Sequence, residues 1–184
     1  MVRYRAGLET RDRILGAVRS LLSNNGLEGT TIKAICASAG IQAGSFYNLF
    51  DGKEQAILAV VREAIDAVDP DPDHQGTDTV ADLTAAYVDF ITSQPDLARV
   101  YIRIGVGAGL GGGHSGETFL AHHRRRVERF AAAIARSNPA AAVAAEAEAE
   151  VMLAALNGLA VQWLLDDSTD FEGLAKLAAG RVST

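Results

Sequence analysis

TTIKAICASAGIQAGSFYNLFDGK, residues 30–53, is the stretch whose reading decides the fold. Ile32, Ile35, Cys36 and Ala39 share one face at helical spacing, Thr30 stands where a cap is needed, and Gly40 stops the pattern after about two turns. A second short helix, near Gln42 to Phe50, follows after a turn of very few residues. Asp51-Gly52 then breaks it. Two short helices joined by a tight glycine turn have the general shape of a helix-turn-helix, whose second helix enters the major groove of DNA.

The flanks extend this helical reading. Upstream, from Leu8 to Asn24, Ile14, Leu15, Val18, Leu21 and Leu22 form the stripe of an amphipathic helix, and Asn25-Gly26 supplies a left-handed stop. Downstream, a helix runs from Lys53 towards Val68 with Ile57, Leu58, Val61 and Ile65 on one side. The segment from Asp69 to Asp78 is acidic, contains prolines and lacks periodicity, so it reads as a solvated connector. Further helical patterns cover roughly 79–92, 95–105, 117–137, 139–166 and 170–180. Pro139 suits a first helical turn. The alanine-rich run after it reads either as a floppy tract or as helix; because it flows into Val151, Leu153, Leu156, Leu159, Trp163 and Leu164, helix is expected, buried on most of its circumference. The fold class is therefore all-α, with about nine helices. A helix-turn-helix head over residues 1–53 and a helical body over residues 54–184 are expected.

Charge divides in the same way. The chain of 184 residues carries a net charge of -6. Its first 53 residues nevertheless hold Arg3, Arg5, Arg11, Arg13, Arg19, Lys33 and Lys53 against Glu9, Asp12, Glu28 and Asp51. Phosphate attraction decays over a Debye length of about 10 Å, so a basic module can bind DNA beside an acidic body. A single cysteine cannot make an internal bridge, and no charged segment followed by an apolar one opens the sequence. A reducing cytoplasm is the expected compartment. The longest apolar stretches fall short of the roughly 18 residues a membrane span needs, so no membrane association is expected.

The residues of the head say more than their spacing. Arg13-Ile14-Leu15, Ala17, Leu21-Leu22, Gly26-Leu27, Thr30-Thr31-Ile32, Ile35, Ala39-Gly40-Ile41, Gly44-Ser45-Phe46-Tyr47, Phe50 and Lys53-Glu54 closely resemble the signature of the tetracycline-repressor (TetR) family. The resemblance implies an all-helical homodimer with a three-helix head, a variable body that usually holds a small-molecule pocket, and dimerisation through the last two long helices. Such proteins typically repress transcription and leave DNA when the ligand binds. By similarity, Gln42, Ala43, Gly44, Ser45, Tyr47 and Asn48 face the groove. Gln42 and Asn48 suit base reading, since an amide pairs bidentately with adenine. Thr31 and Lys33 can meet the DNA backbone, Tyr47 offers a flat face and a hydroxyl, and Lys53 stands at a helix N-terminus where phosphate is favoured. Gly40 permits the turn and Gly44 lets the helix approach phosphate. Two positions depart from the pattern. Leu49 replaces the usual histidine or tyrosine phosphate contact, leaving more of the positioning to Thr31, Tyr47 and the arginines before residue 14. Cys36 replaces an alanine and reads as a small buried apolar residue, with a redox switch as the alternative.

The body carries no such signature. Tyr87, Phe90, Tyr101, Phe119 and Trp163 hold most of its aromatic surface and are the candidates for lining an effector cavity suited to a small apolar or amphipathic molecule, or else for filling the core. Val151, Ala155, Leu159, Leu174 and Leu177 are the candidates for a two-fold interface. A regulator that binds DNA constitutively, or answers to a protein partner, is the alternative. A nucleotide-dependent oxidoreductase is another reading, because Val100–Ile104 looks strand-like and Gly107-x-Gly109-x-x-Gly112 follows it; that fingerprint needs partner strands the sequence does not offer. Gly111 to Thr118 has phosphate-loop spacing with Glu117 where lysine is needed, and reads as a flexible loop between helices. His122 and His123, with His114 nearby, lack zinc spacing. Arg124, Arg125, Arg126 and Arg129 read as a solvated helix face paired with Glu128 and the acidic body, with a second nucleic-acid patch as the alternative. No nucleophile, base and orienting group assemble, so neither catalysis nor a metal or other cofactor is expected.

Overall fold

The computed structural model describes residues 2–73, 75–111 and 114–182, with side chains described except at 2–6, 108–111, 114–116, 118 and 141. Among the described residues every regular element is helical: α1 (Val2–Gly29), α2 (Ile32–Ala39), α3 (Ala43–Tyr47), α4 (Lys53–Ala67), α5 (Val80–Ser93), α6 (Pro95–Gly111), α7 (His114–Ser137), α8 (Ala145–Leu165) and α9 (Phe171–Val182), with one 3-10 turn at Pro139–Ala141. No described helix is long and apolar enough to cross a membrane. Contacts divide the chain into two compact units, Met1–Glu63 with Asp96–Phe119, and Ala64–Pro95 with Leu120–Thr184.

In the first unit, α1 is broken where the sequence asks for it. Gly26 has φ 64° and ψ -170°. The cap of α2 is one residue later than expected. Thr31 is the N-cap, its hydroxyl oxygen accepting from the Ala34 amide at 3.1 Å, while the buried Thr30 donates its hydroxyl to the Gly26 carbonyl at 2.7 Å. Extended backbone at Thr31 (φ -104°, ψ 156°) allows that cap geometry, and Thr30 instead ties the kink of α1. Ile14, Leu15, Val18, Ile35, Phe46 and Ile57 are buried here.

The second unit is built from α5, the greater part of α7, α8 and α9, with Leu83, Phe90, Phe130, Ile134, Leu153, Leu156 and Phe171 buried. Thr79 and Asp82 form a reciprocal capping box at the start of α5. The expected helix over 139–166 is shorter. Pro139–Ala141 makes only a 3-10 turn and α8 begins at Ala145, because Ala142, Val143 and Ala144 are exposed and propensity alone does not sustain a helix without a buried face.

Two other expectations are corrected. Val100–Ile104 is helical inside α6, which continues to Gly111 rather than ending near 105. The dinucleotide reading therefore has no strand before its glycines; Gly112 and Gly113 lie outside the described residues. The acidic segment 69–78 is a solvated connector only in part: Pro70, Pro72, Asp73, Gln75, Gly76 and Thr77 are exposed, while Asp69, Asp71 and Asp78 are held down. The Asp71 carboxylate accepts from the amides of Gln75 (2.8 Å) and Gly76 (2.6 Å), which hold it below the ordinary aspartate range with Gln75 contributing most. The side chains of Asp69 and Asp78 are only 7% and 4% exposed. Arg129 and Arg136, two turns apart on α7, reach these carboxylates. Opposite charge recruited from far along the chain folds the loop down.

Candidate nucleic-acid interface

The geometry of the head starts at Gly40. Its φ of 64° lets its amide donate to the Ala37 carbonyl (3.3 Å) and the next amide, from Ile41, to the Cys36 carbonyl (3.0 Å). These paired bonds close α2 in a Schellman turn, and a side chain at Gly40 would strain it. Arg13 of α1 donates to the Ala39 carbonyl at 3.4 Å, steadying the same corner. Cys36 is buried, as a small apolar residue would be.

The turn delivers α3, a single short helix held from behind. Phe46 is fully buried and Phe50 nearly so, their rings 5.7 Å apart; burying each contributes about 1.5–3 kcal/mol. Gln42, Ala43, Gly44, Tyr47 and Asn48 are exposed on the outer side, with Ser45 half-buried between the two. Tyr47 is 56% exposed and its ring meets Phe46 edge-on. Gly44 has no internal reason to lack a side chain: a Cβ there would meet nothing within 4 Å. Thr31 and Lys33 are exposed at the start of α2. The Thr31 hydroxyl accepts from Ala34 and so keeps its own proton for another acceptor. Lys53, half-buried at the start of α4, donates from Nζ to the Leu27 carbonyl at 3.3 Å, which fixes its ammonium group with further donors to spare. Leu49 is half-buried. Arg3 and Arg5 lie outside the described side chains.

The aromatic residues singled out in the body do not form one group. Tyr87 and Phe90 line a small pocket of about 70 Å³, together with Ile65, Val68, Leu83 and Phe130, and with Asp69, Arg126 and Arg129. Trp163 instead stacks on Phe171 at 6.3 Å, and Tyr101 pairs with Phe119 at 4.9 Å in the first unit. The charged part of the lining escaped the sequence reading. Leu83, Tyr87 and Phe90 on α5, and Arg126 and Phe130 on α7, stand at helical spacings that could have shown it.

On α8, Val151, Ala154, Gly158, Val161 and Leu165 form an exposed stripe at alternating three- and four-residue spacing, with Val151 68% and Leu165 83% exposed. Ala155 and Leu159 flank it half-buried, and Leu174 and Leu177 are exposed on α9. Among the described residues no three His, Cys, Asp or Glu side chains gather as a metal site would require.

The class defined by α2, the Schellman turn and α3 is the helix-turn-helix proteins. Residues 14–60 match the model of bacterial regulatory proteins, tetR family. It is 44% identical over 52 residues to the HTH-type transcriptional regulator UidR of Escherichia coli (strain K12), covering 28% of this chain and 26% of that protein. It is 39% identical over 56 residues to the HTH-type transcriptional repressor KstR2 of Mycolicibacterium smegmatis, covering 30% and 27%. These matches span about a quarter of the length of the curated relatives. The fold extends further: the transcriptional regulator FadR of Bacillus subtilis, solved in complex with stearoyl-CoA, superposes with a TM-score of 0.67 over 94% of this chain and 97% of that one, at 13% identity.

Proposed function

We propose that the chain is a transcriptional repressor that binds an inverted-repeat operator in double-stranded DNA as a homodimer and leaves it when a small apolar or amphipathic molecule fills the body. Residues 1–53 would serve as the DNA-binding domain and 54–184 as the effector and dimer domain, acting in the cytoplasm. The observation that carries the DNA reading is the outer side of α3. A glycine inside a helix costs roughly 1 kcal/mol against alanine, and Gly44 has no internal contact to justify it, so close approach to an outside partner is its reason. Gln42 and Asn48 flank it as base readers, and Thr31, Lys33, Tyr47 and Lys53 stand as backbone contacts.

The test is Gly44→Leu. Its side chain enters open space, so the head should melt no lower than the wild type. Affinity for an operator selected from random duplexes should fall roughly tenfold or more. Retained affinity would remove α3 from the groove.

The exposed stripe on α8 and Leu174 and Leu177 on α9 support the dimer, since a two-fold axis sets the same patch against itself. Leu165→Glu should give a monomer in sedimentation at micromolar concentration, and a dimer in that variant would move the interface elsewhere. The pocket favours a small-molecule effector over constitutive binding or control by a protein partner, and KstR2 is by name a repressor.

A further inference from the structure

The outer side of α3 carries no charged side chain: its exposed residues are Gln42, Ala43, Gly44, Tyr47 and Asn48. Gln42 is the N-cap, with extended backbone (φ -82°, ψ 153°), yet its side chain makes no capping bond. Asn48 closes the helix through its backbone, whose amide donates to the Gly44 carbonyl at 3.1 Å. Among the described residues neither side-chain amide takes a hydrogen bond within the chain. Each therefore keeps an N–H donor group on one arm and a carbonyl acceptor on the other. In the major groove adenine presents a donor, N6, beside an acceptor, N7, on one base edge, and an amide matches both. Guanine presents two acceptors there, so its O6 would face the amide carbonyl unpaired. Reading guanine with two bonds takes arginine or lysine, and reading cytosine takes a carboxylate. On the outer side of α3 neither is present, and the lysines of the head belong to α2 (Lys33) and to the start of α4 (Lys53, whose Nζ is tied to the Leu27 carbonyl).

We propose that α3 reads A·T pairs: Gln42 and Asn48 each hold an adenine by N6 and N7, and the exposed Ala43 methyl packs on a thymine methyl. Gln42 stands at the start of α3 and Asn48 at its end. That separation is about 9 Å of helix rise, against a base-pair repeat of about 3.4 Å. The two adenines therefore belong to different pairs, about two to three steps apart in each half-site.

The proposal rests on the groove-facing role given to α3 above, and its test separates the two. In an operator selected with the full chain from random duplexes, the position whose preference Gln42→Ala relaxes should be an A·T pair, and so should the position that Asn48→Ala relaxes. Replacing either adenine by 7-deazaadenine, which lacks the N7 acceptor, should lower wild-type affinity about tenfold and change nothing further in the matching alanine variant. Uracil in place of one thymine removes only a methyl group; it should weaken the wild type about threefold and leave Ala43→Gly unmoved. Each comparison sets two duplexes against one protein, so a change in a variant's stability cancels. Asn48→Arg should turn the preference at its position to guanine, a gain that a misfolded protein cannot show. A G·C pair at either position, wild-type affinity unmoved by 7-deazaadenine, or an Asn48→Arg protein that still prefers adenine overturns the adenine assignment and leaves α3 in the groove. Uracil duplexes that bind as tightly as thymine ones at every position overturn the part given to Ala43. If neither alanine variant alters preference anywhere, the proposal fails; if Gly44→Leu also keeps full affinity, the groove reading fails with it.

Discussion

On α2 and α3 the polar side chains Lys33, Gln42 and Asn48 stand exposed at the surface of the head, whereas on α7 Arg129 and Arg136 reach carboxylates that are almost wholly buried. The first arrangement spends nothing on internal satisfaction and leaves its hydrogen-bonding capacity for something outside the chain. The second uses its charge to fold a loop. Net charge therefore says little about what either unit recognises. The acidic excess of the body is partly neutralised from within.

Removing one partner should separate the two regions most sharply. Asp78→Ala leaves Arg129 and Arg136 facing a corner with one carboxylate fewer, and because both arginines are partly exposed the loss should be about 2–3 kcal/mol in chemical denaturation. Lys33→Ala in the head should stay within about 0.5 kcal/mol. Equal effects would erase the contrast.

On operator DNA the order should reverse. Gln42→Ala or Asn48→Ala should weaken operator binding by about 1–3 kcal/mol and relax preference at one position per half-site, with stability unaltered. Lys53→Ala should weaken all sequences alike and lower the salt slope by roughly one. A salt series on operator and scrambled duplexes distinguishes them, and a change of base preference in Lys53→Ala would overturn the division of roles.

The smallest effect concerns pH. Asp71 is held below the ordinary aspartate range, chiefly by the Gln75 amide. A depressed pKa contributes stability that is present above the unfolded value of about 3.9 and is lost as pH falls through the lower folded value. Thermal melts of the wild type should therefore lose part of their stability below about pH 4, and Asp71→Asn should lose less over that interval. Identical profiles for the two proteins would rule Asp71 out as a contributor.

The same contrast explains what could be read in advance. The head is decided by local signals: Gly40 closes α2, Phe46 and Phe50 back α3, and the span from Arg13 to Glu54 shows them in order. The one slip there, Thr30 for Thr31, turns on which of two adjacent hydroxyls finds the amide. In the body the decisive pairs are distant. Arg129 lies 60 residues from Asp69 and 51 from Asp78, so no window of periodicity reveals that the acidic segment is folded. The aromatic residues likewise divide between two units because composition records how many rings there are, not which helices bring them together.

One bond in the body joins two of these features. The Tyr87 hydroxyl on the pocket wall donates to Asn157 Oδ1 at 2.7 Å, and Asn157 sits on α8 beside Gly158 of the exposed stripe. Any occupant that shifts the Tyr87 ring shares that displacement with the helix proposed to meet a second copy. Coupling free energy is reciprocal: if filling the pocket changes self-association by some factor, self-association changes pocket affinity by the same factor. Ligand affinity measured on this chain should then vary with protein concentration, and Tyr87→Phe, which keeps the ring and deletes the bond, should flatten that dependence.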